Sequence, residues 1–163
     1  VKSSSAAGAP SLVVLGTRSE QKSEALGHVE NPDEFFAAAK AEIFAAVGDL
    51  STITLPLNRI LLAVWVRPKT RKLANGLEII IPDAVVNEDK WQGVSALVLK
   101  LGPHCYEDND QIIFRAEDRC AVGDWVMFRR GEGFRTRIWG IECIVMDSER
   151  GIKMVLPRPD AVF

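Results

Sequence analysis

The chain has 163 residues, 47% hydrophobic and 26% charged, with a formal net charge of -2. That apolar share supports one core of ordinary domain size, roughly 100 to 150 residues, plus a smaller appendage. The near balance of charge excludes nucleic-acid binding by bulk positive field, and no segment reaches the roughly 18 apolar residues of a membrane-spanning helix.

The first stretch, "VKSSSAAGAPS", is small, polar and broken by Gly and Pro, so it has too little apolar surface to offset the entropy of ordering. A start at Val1 is that expected after loss of an initiator methionine, and no charged-then-apolar secretory pattern follows it, so synthesis in a cytoplasm is expected. "LVVLG" (12–16) is a short apolar run able to become an added strand; "TRSEQKSEALGHVE" is polar and gives no clear period.

"NPDEFFAAAKAEIFAAVGDL" is the one convincing helix, expected over about 32–47. Asn31 can cap it, Pro32 suits its first position, Asp33 and Glu34 sit at the positive end of its dipole, and Gly48 can end it. Phe36, Ala39, Ile43 and Val47 recur at helical spacing, with Phe35 and Phe44 widening the stripe. Such a stripe either packs on its own domain or docks on a neighbouring subunit. Residues 1–52 are therefore expected to form an N-terminal arm containing one amphipathic helix.

From about residue 53 the pattern turns to short strands: "ITLPLNRILLAVWV", "LEIII", "VSALVLKLG", "QIIFRA", "DWVMFRR", "FRTRIWG", "ECIVMD" and "IKMVL", mostly separated by Gly, Pro, Asp or Asn. Short strands with frequent turns and no alternating helices predict a mainly β domain over 53–163, an antiparallel barrel or sandwich. In "GLEIIIPDAVVNEDKW" (76–91) the aliphatics read either as a strand with its exit turn or as an exposed finger that grips another protein.

Residues suited to catalysis or metal binding are sparse. The two histidines, His28 and His104, stand at no ligand spacing, and "HCYEDND" (104–110) lacks the glycine and spacing of a calcium loop and reads as a solvated acidic tip. Asp118 and Asp124 flank a strand start, where turn formation accounts for them. Three cysteines, Cys105, Cys120 and Cys143, are odd in number and far apart; they read as small buried hydrophobes in a reducing compartment, with Cys105 in a polar loop the one that could be exposed. A phosphate-binding glycine loop and a nucleophile elbow are both missing. No enzymatic activity, cofactor or metal is expected.

Several segments taken in order resemble the GroES-type co-chaperonins: "PLNRILL" (56–62), "GLEIIIP" (76–82), "GVSALVLKLGP" (93–103), "VGDWVMF" (122–128) and "GIECIVMDSERGIKMVL" (140–156). The likeness covers about the last two thirds of the chain, and "VGDWVMF" is its strongest element. The resemblance implies a GroES-like irregular antiparallel β-barrel that assembles with other copies through edge strands. It also implies that Leu77, Ile79, Ile80 and Ile81 form a partner-docking segment. One glycine of the family's usual pair is missing there, Glu78 interrupts the aliphatics, and the tether "RPKTRKLAN" is short.

The N-terminal fifty-odd residues exceed what a ring-shaped lid requires, whereas a protein clamped onto neighbours gains from an added tethered contact. The expected function is thus a non-enzymatic structural protein, a bacteriophage virion component such as a capsid decoration or cement protein that staples shell subunits. The alternative is a co-chaperonin lid on a chaperonin ring. Expected partner-binding residues are Leu77, Ile79, Ile80 and Ile81 with Phe35, Phe36, Ile43 and Phe44 of the helix. The partners are capsid subunits or a chaperonin, together with copies of the chain, and the setting is a virion or the cytoplasm of a bacterial host. A third reading, a sugar- or nucleic-acid-binding barrel, rests on Arg129, Arg130, Arg135 and Arg137 alone.

Overall fold

A computed structural model describes residues 31–68, 70–72 and 77–162, without the side chains of 70–72 and Trp91. The expected arm segment 1–30, with its "LVVLG" run, lies outside these residues.

Helix α1 (Pro32–Val47) begins where Asn31 Oδ1 accepts the Glu34 N–H, carries Pro32 in its first turn, and stops at Gly48, whose φ of 62° lets its N–H reach the Phe44 carbonyl. The β region holds β1 (Arg59–Val64), β2 (Thr70–Lys72), β3 (Glu78–Ile80), β4 (Ser95–Leu101), β5 (Trp125–Phe128), β6 (Phe134–Ile138), β7 (Ile141–Asp147) and β8 (Ile152–Leu156). Helix α2 (Asp83–Gln92) lies between β3 and β4, and a one-turn helix α3 (Ser148–Gly151) separates β7 from β8. The protein is mainly β.

Six strands form one antiparallel sheet in the order β6-β7-β1-β4-β5-β8; β2 and β3 pair separately as a hairpin. β1 is central, bonded to β4 on one side and β7 on the other, and its last five residues are buried. Both its faces are covered, which is why "RILLAV" reads as a continuous apolar run instead of an alternation.

Strand alternation divides the core in two. Leu61, Ala63, Leu97, Leu99, Trp125 and Cys143 point to one face, where α1 delivers Phe36 and Val47. Ile60, Leu62, Val98, Val126, Ile144 and Met146 point to the other, closed by Tyr106 and Cys120 from the β4–β5 connection. On the first face the rings of Phe35, Phe36, Trp65 and Trp125 meet edge to face in sequence, 5.1 to 5.5 Å apart. The helix stripe thus packs on its own domain. Phe36 is buried in that core, and Phe35, Ile43 and Phe44 are half-buried against it. Lys100 on β4 fixes the exit from α1 by donating to the Leu50 and Ile53 carbonyls at 2.7 and 2.5 Å.

Two expected features differ. "QIIFRA" is loop, because Asp108 and Asn109 side chains accept the backbone N–H groups of Phe114, Gln111 and Ile112 and so compete with ladder pairing. Residues 83–92 form helix α2, which neither the strand-and-turn nor the exposed-finger reading of "GLEIIIPDAVVNEDKW" includes; Pro82 starts it with its carbonyl taking the Val85 and Val86 N–H groups.

Candidate protein-docking surfaces

The β2–β3 hairpin answers the question posed by "GLEIIIP". Thr70, Arg71 and Lys72 pair with Ile80, Ile79 and Glu78, and neither strand joins the main sheet. Leu77, Ile79 and Ile80 are exposed, at 63%, 47% and 70%, whereas Ile81 is half-buried at the root. Three large aliphatics on one short element are an apolar patch, and water contact there costs about 25 cal/mol per Å². Isolated two-stranded hairpins are marginal. This one has a brace at its base: Asp89 on α2 is 4% exposed and takes Arg67 in a fork, Nε to Oδ2 at 2.7 Å and Nη2 to Oδ1 at 2.6 Å, with the Arg67 N–H also on Oδ2 at 3.2 Å. The hydrogen bond to Asp89 raises the Arg67 guanidinium pKa, which holds that side chain in its charged form. Arg135 on β6 donates to the Lys90 carbonyl in the last turn of α2 and fastens the helix to the sheet.

A second exposed apolar group is Trp139, 78% exposed. It occupies the first position of the two-residue β6–β7 turn, with φ of 48° followed by Gly140 at 83°, the paired left-handed conformation of a type I′ hairpin. Asn-Gly suits such a turn; a bulky side chain there is strained and invites a functional reading. Tryptophans commonly pack into cores, and Trp65 and Trp125 do so. Trp139 does not, and the signal that finds it is "WG" standing between two strand patterns.

The third feature is an apolar cleft of about 380 Å³ between α1 and the adjoining ends of β1 and β7. Phe35, Ala39 and Ile43 form one wall, Trp65, Val66 and Ile141 the other, with Glu42, Lys90 and Glu142 among its charged lining groups. The expected helix residues Phe35 and Ile43 therefore belong to this cleft, while Leu77, Ile79 and Ile80 belong to the hairpin.

The polar candidates have structural roles. The Asp124 carboxylate accepts the Ala121 N–H at 2.8 Å and Asp118 that of Arg115 at 2.9 Å, both closing turns. Of the four arginines, Arg137 pairs with Glu142, Arg129 lies 3.7 Å from Glu132, and Arg135 is bound as above. Cys120 and Cys143 are buried and Cys105 is half-buried, its Sγ 3.3 Å from the Arg59 carbonyl. Among the described residues no group of three or more His, Cys, Asp or Glu side chains is placed to hold a metal ion, and no helix is long and apolar enough to cross a membrane.

Comparison with protein-family models and with curated proteins returns no match to this chain.

Proposed function

We propose that this chain is a non-enzymatic assembly protein on a GroES-like β-scaffold, a bacteriophage virion component that decorates a capsid and staples neighbouring shell subunits. The observation that carries the reading is the braced hairpin with Leu77, Ile79 and Ile80 exposed. Burying each such side chain against a partner yields about 1.5–3 kcal/mol, and a pre-organised element loses little of that gain to ordering. Exposed Trp139 supplies an aromatic group of the type that dominates interface energetics. Asp118 and Asp124 serve turns and two cysteines are buried, which supports a function by surface contact without bond-making chemistry.

A second reading is the co-chaperonin lid, favoured by the position of the aliphatic segment between β1 and β4. The Arg67–Asp89 brace favours the staple over the lid: a contact held throughout a particle's lifetime gains from a fixed finger, whereas docking and release suit a looser one.

Mass spectrometry of purified particles and native mass measurement of the isolated chain separate the readings. The staple requires the chain in the particle at fixed stoichiometry to the shell protein; its absence there defeats the proposal. A free sevenfold ring whose chaperonin binding is lost in the Ile80→Asp, Ile81→Asp variant establishes the lid instead.

A further inference from the structure

We infer that two copies of this chain pair about a two-fold axis at the end of the β domain where β1 begins, the acidic half of each end face lying on the basic half of the other.

That end divides at the start of β1 and at α3. Asn58 and Glu149 line one cavity with Leu57, His104, Glu107 and Asp108. The residues that follow them, Arg59 and Arg150, line another with Glu132, Phe134 and Asp147. On the first half Glu107, Asp108, Asp110, Glu117, Asp118 and Glu149 outnumber Arg115 and Arg119. On the second Arg59, Arg129, Arg130, Arg150 and Lys153 outnumber Glu132 and Asp147. Many of these groups pair within their own half: Arg119 with Asp108, Arg115 with Glu117, His104 with Glu107, Arg59 with Asp147 and Arg129 with Glu132. Asp110 and Glu149 on one side, and Arg130 and Arg150 on the other, are exposed and carry the remaining imbalance.

Both halves also expose large apolar groups. Leu57, Ile112 and Ile113 are 63%, 44% and 77% exposed on the acidic half, and Phe134 is 75% exposed on the basic half. Leu57 holds a φ of 55°, the left-handed backbone that a residue with a side chain disfavours. The two isoleucines sit on a loop held by the Asp108 and Asn109 side chains and rooted by Tyr106, whose ring meets Phe114 at 5.5 Å. A tip so fixed loses little to ordering when it binds, and exposed apolar groups rimmed by charge mark contact sites.

A second copy fits because the face is complementary to itself. In a two-fold contact, if residue i of one copy touches residue j of the other, then j also touches i. An axis beside α3 sets Glu149 of one copy near Arg150 of the other, and each Ile112–Ile113 tip near the other's Phe134. Opposite charges meet at both repeats of the contact, whereas other alignments of the two faces oppose like charges. The pairing stands on this end face alone and does not depend on the proposed function. Under that function it has a consequence: β1 runs from this end toward the β2–β3 hairpin, so a pair presents two hairpins at its outer ends, one for each of two shell subunits.

Sedimentation equilibrium of the full chain tests the pairing. The wild-type chain should form a concentration-dependent dimer that added salt weakens. Arg130→Glu with Arg150→Glu makes both halves acidic, and Asp110→Lys with Glu149→Lys reduces the acidic half; each double variant alone should dimerise about tenfold or more weakly. Mixed in equal amounts, they should form a one-to-one pair with the wild-type dissociation constant, because every acidic surface again finds a basic one. Ile113→Asp, at an exposed loop position, should weaken the dimer about tenfold without involving those charges. A wild-type chain that stays monomeric up to about 1 mM overturns the proposal. So do double variants that dimerise as the wild type does, a mixture no tighter than its components when both keep the wild-type urea midpoint, an Ile113→Asp chain that dimerises unchanged, or open-ended growth beyond a dimer, which requires a head-to-tail contact.

Discussion

Arg67 and Asp89 tie together the two roots of the exposed hairpin, one residue standing before β2 and the other on the helix after β3. The pair is asymmetric: the Asp89 side chain is 4% exposed and that of Arg67 42%. Arg67→Ala strands a buried carboxylate and should cost about 3 kcal/mol, whereas Asp89→Ala leaves a guanidinium able to turn to water and should cost about 1–2 kcal/mol. Urea unfolding of the two variants checks the order. Equal losses would mean that the ion pair is not what holds the hairpin base.

Trp139 places a strained residue where Asn would be relaxed. Left-handed backbone costs a bulky L-residue about 1–2 kcal/mol, and an exposed indole recovers little of it by packing in the free chain. Trp139→Asn should therefore raise the free chain's stability by about 1 kcal/mol and, under the proposed assembly function, weaken binding to the shell partner about tenfold or more. Thermal unfolding and a pull-down titration measure the two halves. A variant that is both less stable and fully competent in assembly contradicts this account.

Gly102 packs its Cα against the turn that feeds β1. A methyl group there would stand 2.4 Å from the Leu57 carbonyl oxygen and 2.9 Å from that of Arg59, and both oxygens are already engaged by backbone N–H groups, of His104 and Gly102. Neither is a flexible side-chain end that can move aside. Gly102→Ala should cost about 2 kcal/mol or more, seen as a lower urea midpoint with an unchanged m value. An unaffected midpoint would mean that the Leu57 turn yields freely.

Local chemistry made some of this structure legible and hid the rest. The ends of α1 could be read from Asn31, Pro32 and Gly48, because caps act within three or four residues. β1 and β4 were visible as β-branched and leucine-rich runs bounded by turn residues. Helix α2 was not: "DAVVNEDKWQ" has a weak apolar stripe, and its place depends on Asp89 meeting Arg67, 22 residues earlier in the chain. The exposed hairpin posed a different difficulty, since "LEIII" has the same composition whether its strand lies within a sheet or outside one. That choice is made by which strands pair, and pairing is a long-range property. The exposure of Trp139 is hidden for a similar reason, since it follows from the pairing of Ile138 with Ile141 that defines the two-residue turn.

The buried thiols give the chain a defined alkaline weakness. Burial pushes the Cys143 thiol from an ordinary value of 9.0 up to about 11, and it also raises Cys120 and Tyr106. For an acid whose folded pKa lies above its unfolded one, the stabilising contribution is complete below the unfolded value and is lost as pH rises toward the folded value. Between pH 9 and 11 the unfolded chain ionises first at Cys143, so stability should fall there by about 1.4 kcal/mol per pH unit from this group alone. Cys143→Val keeps an apolar side chain of similar size and removes the titration, so urea unfolding from pH 7 to 11 should give a slope shallower by about that amount above pH 9. Identical slopes in the two proteins would mean that Cys143 ionises as readily folded as unfolded, and therefore that water reaches the face of the sheet beneath α1.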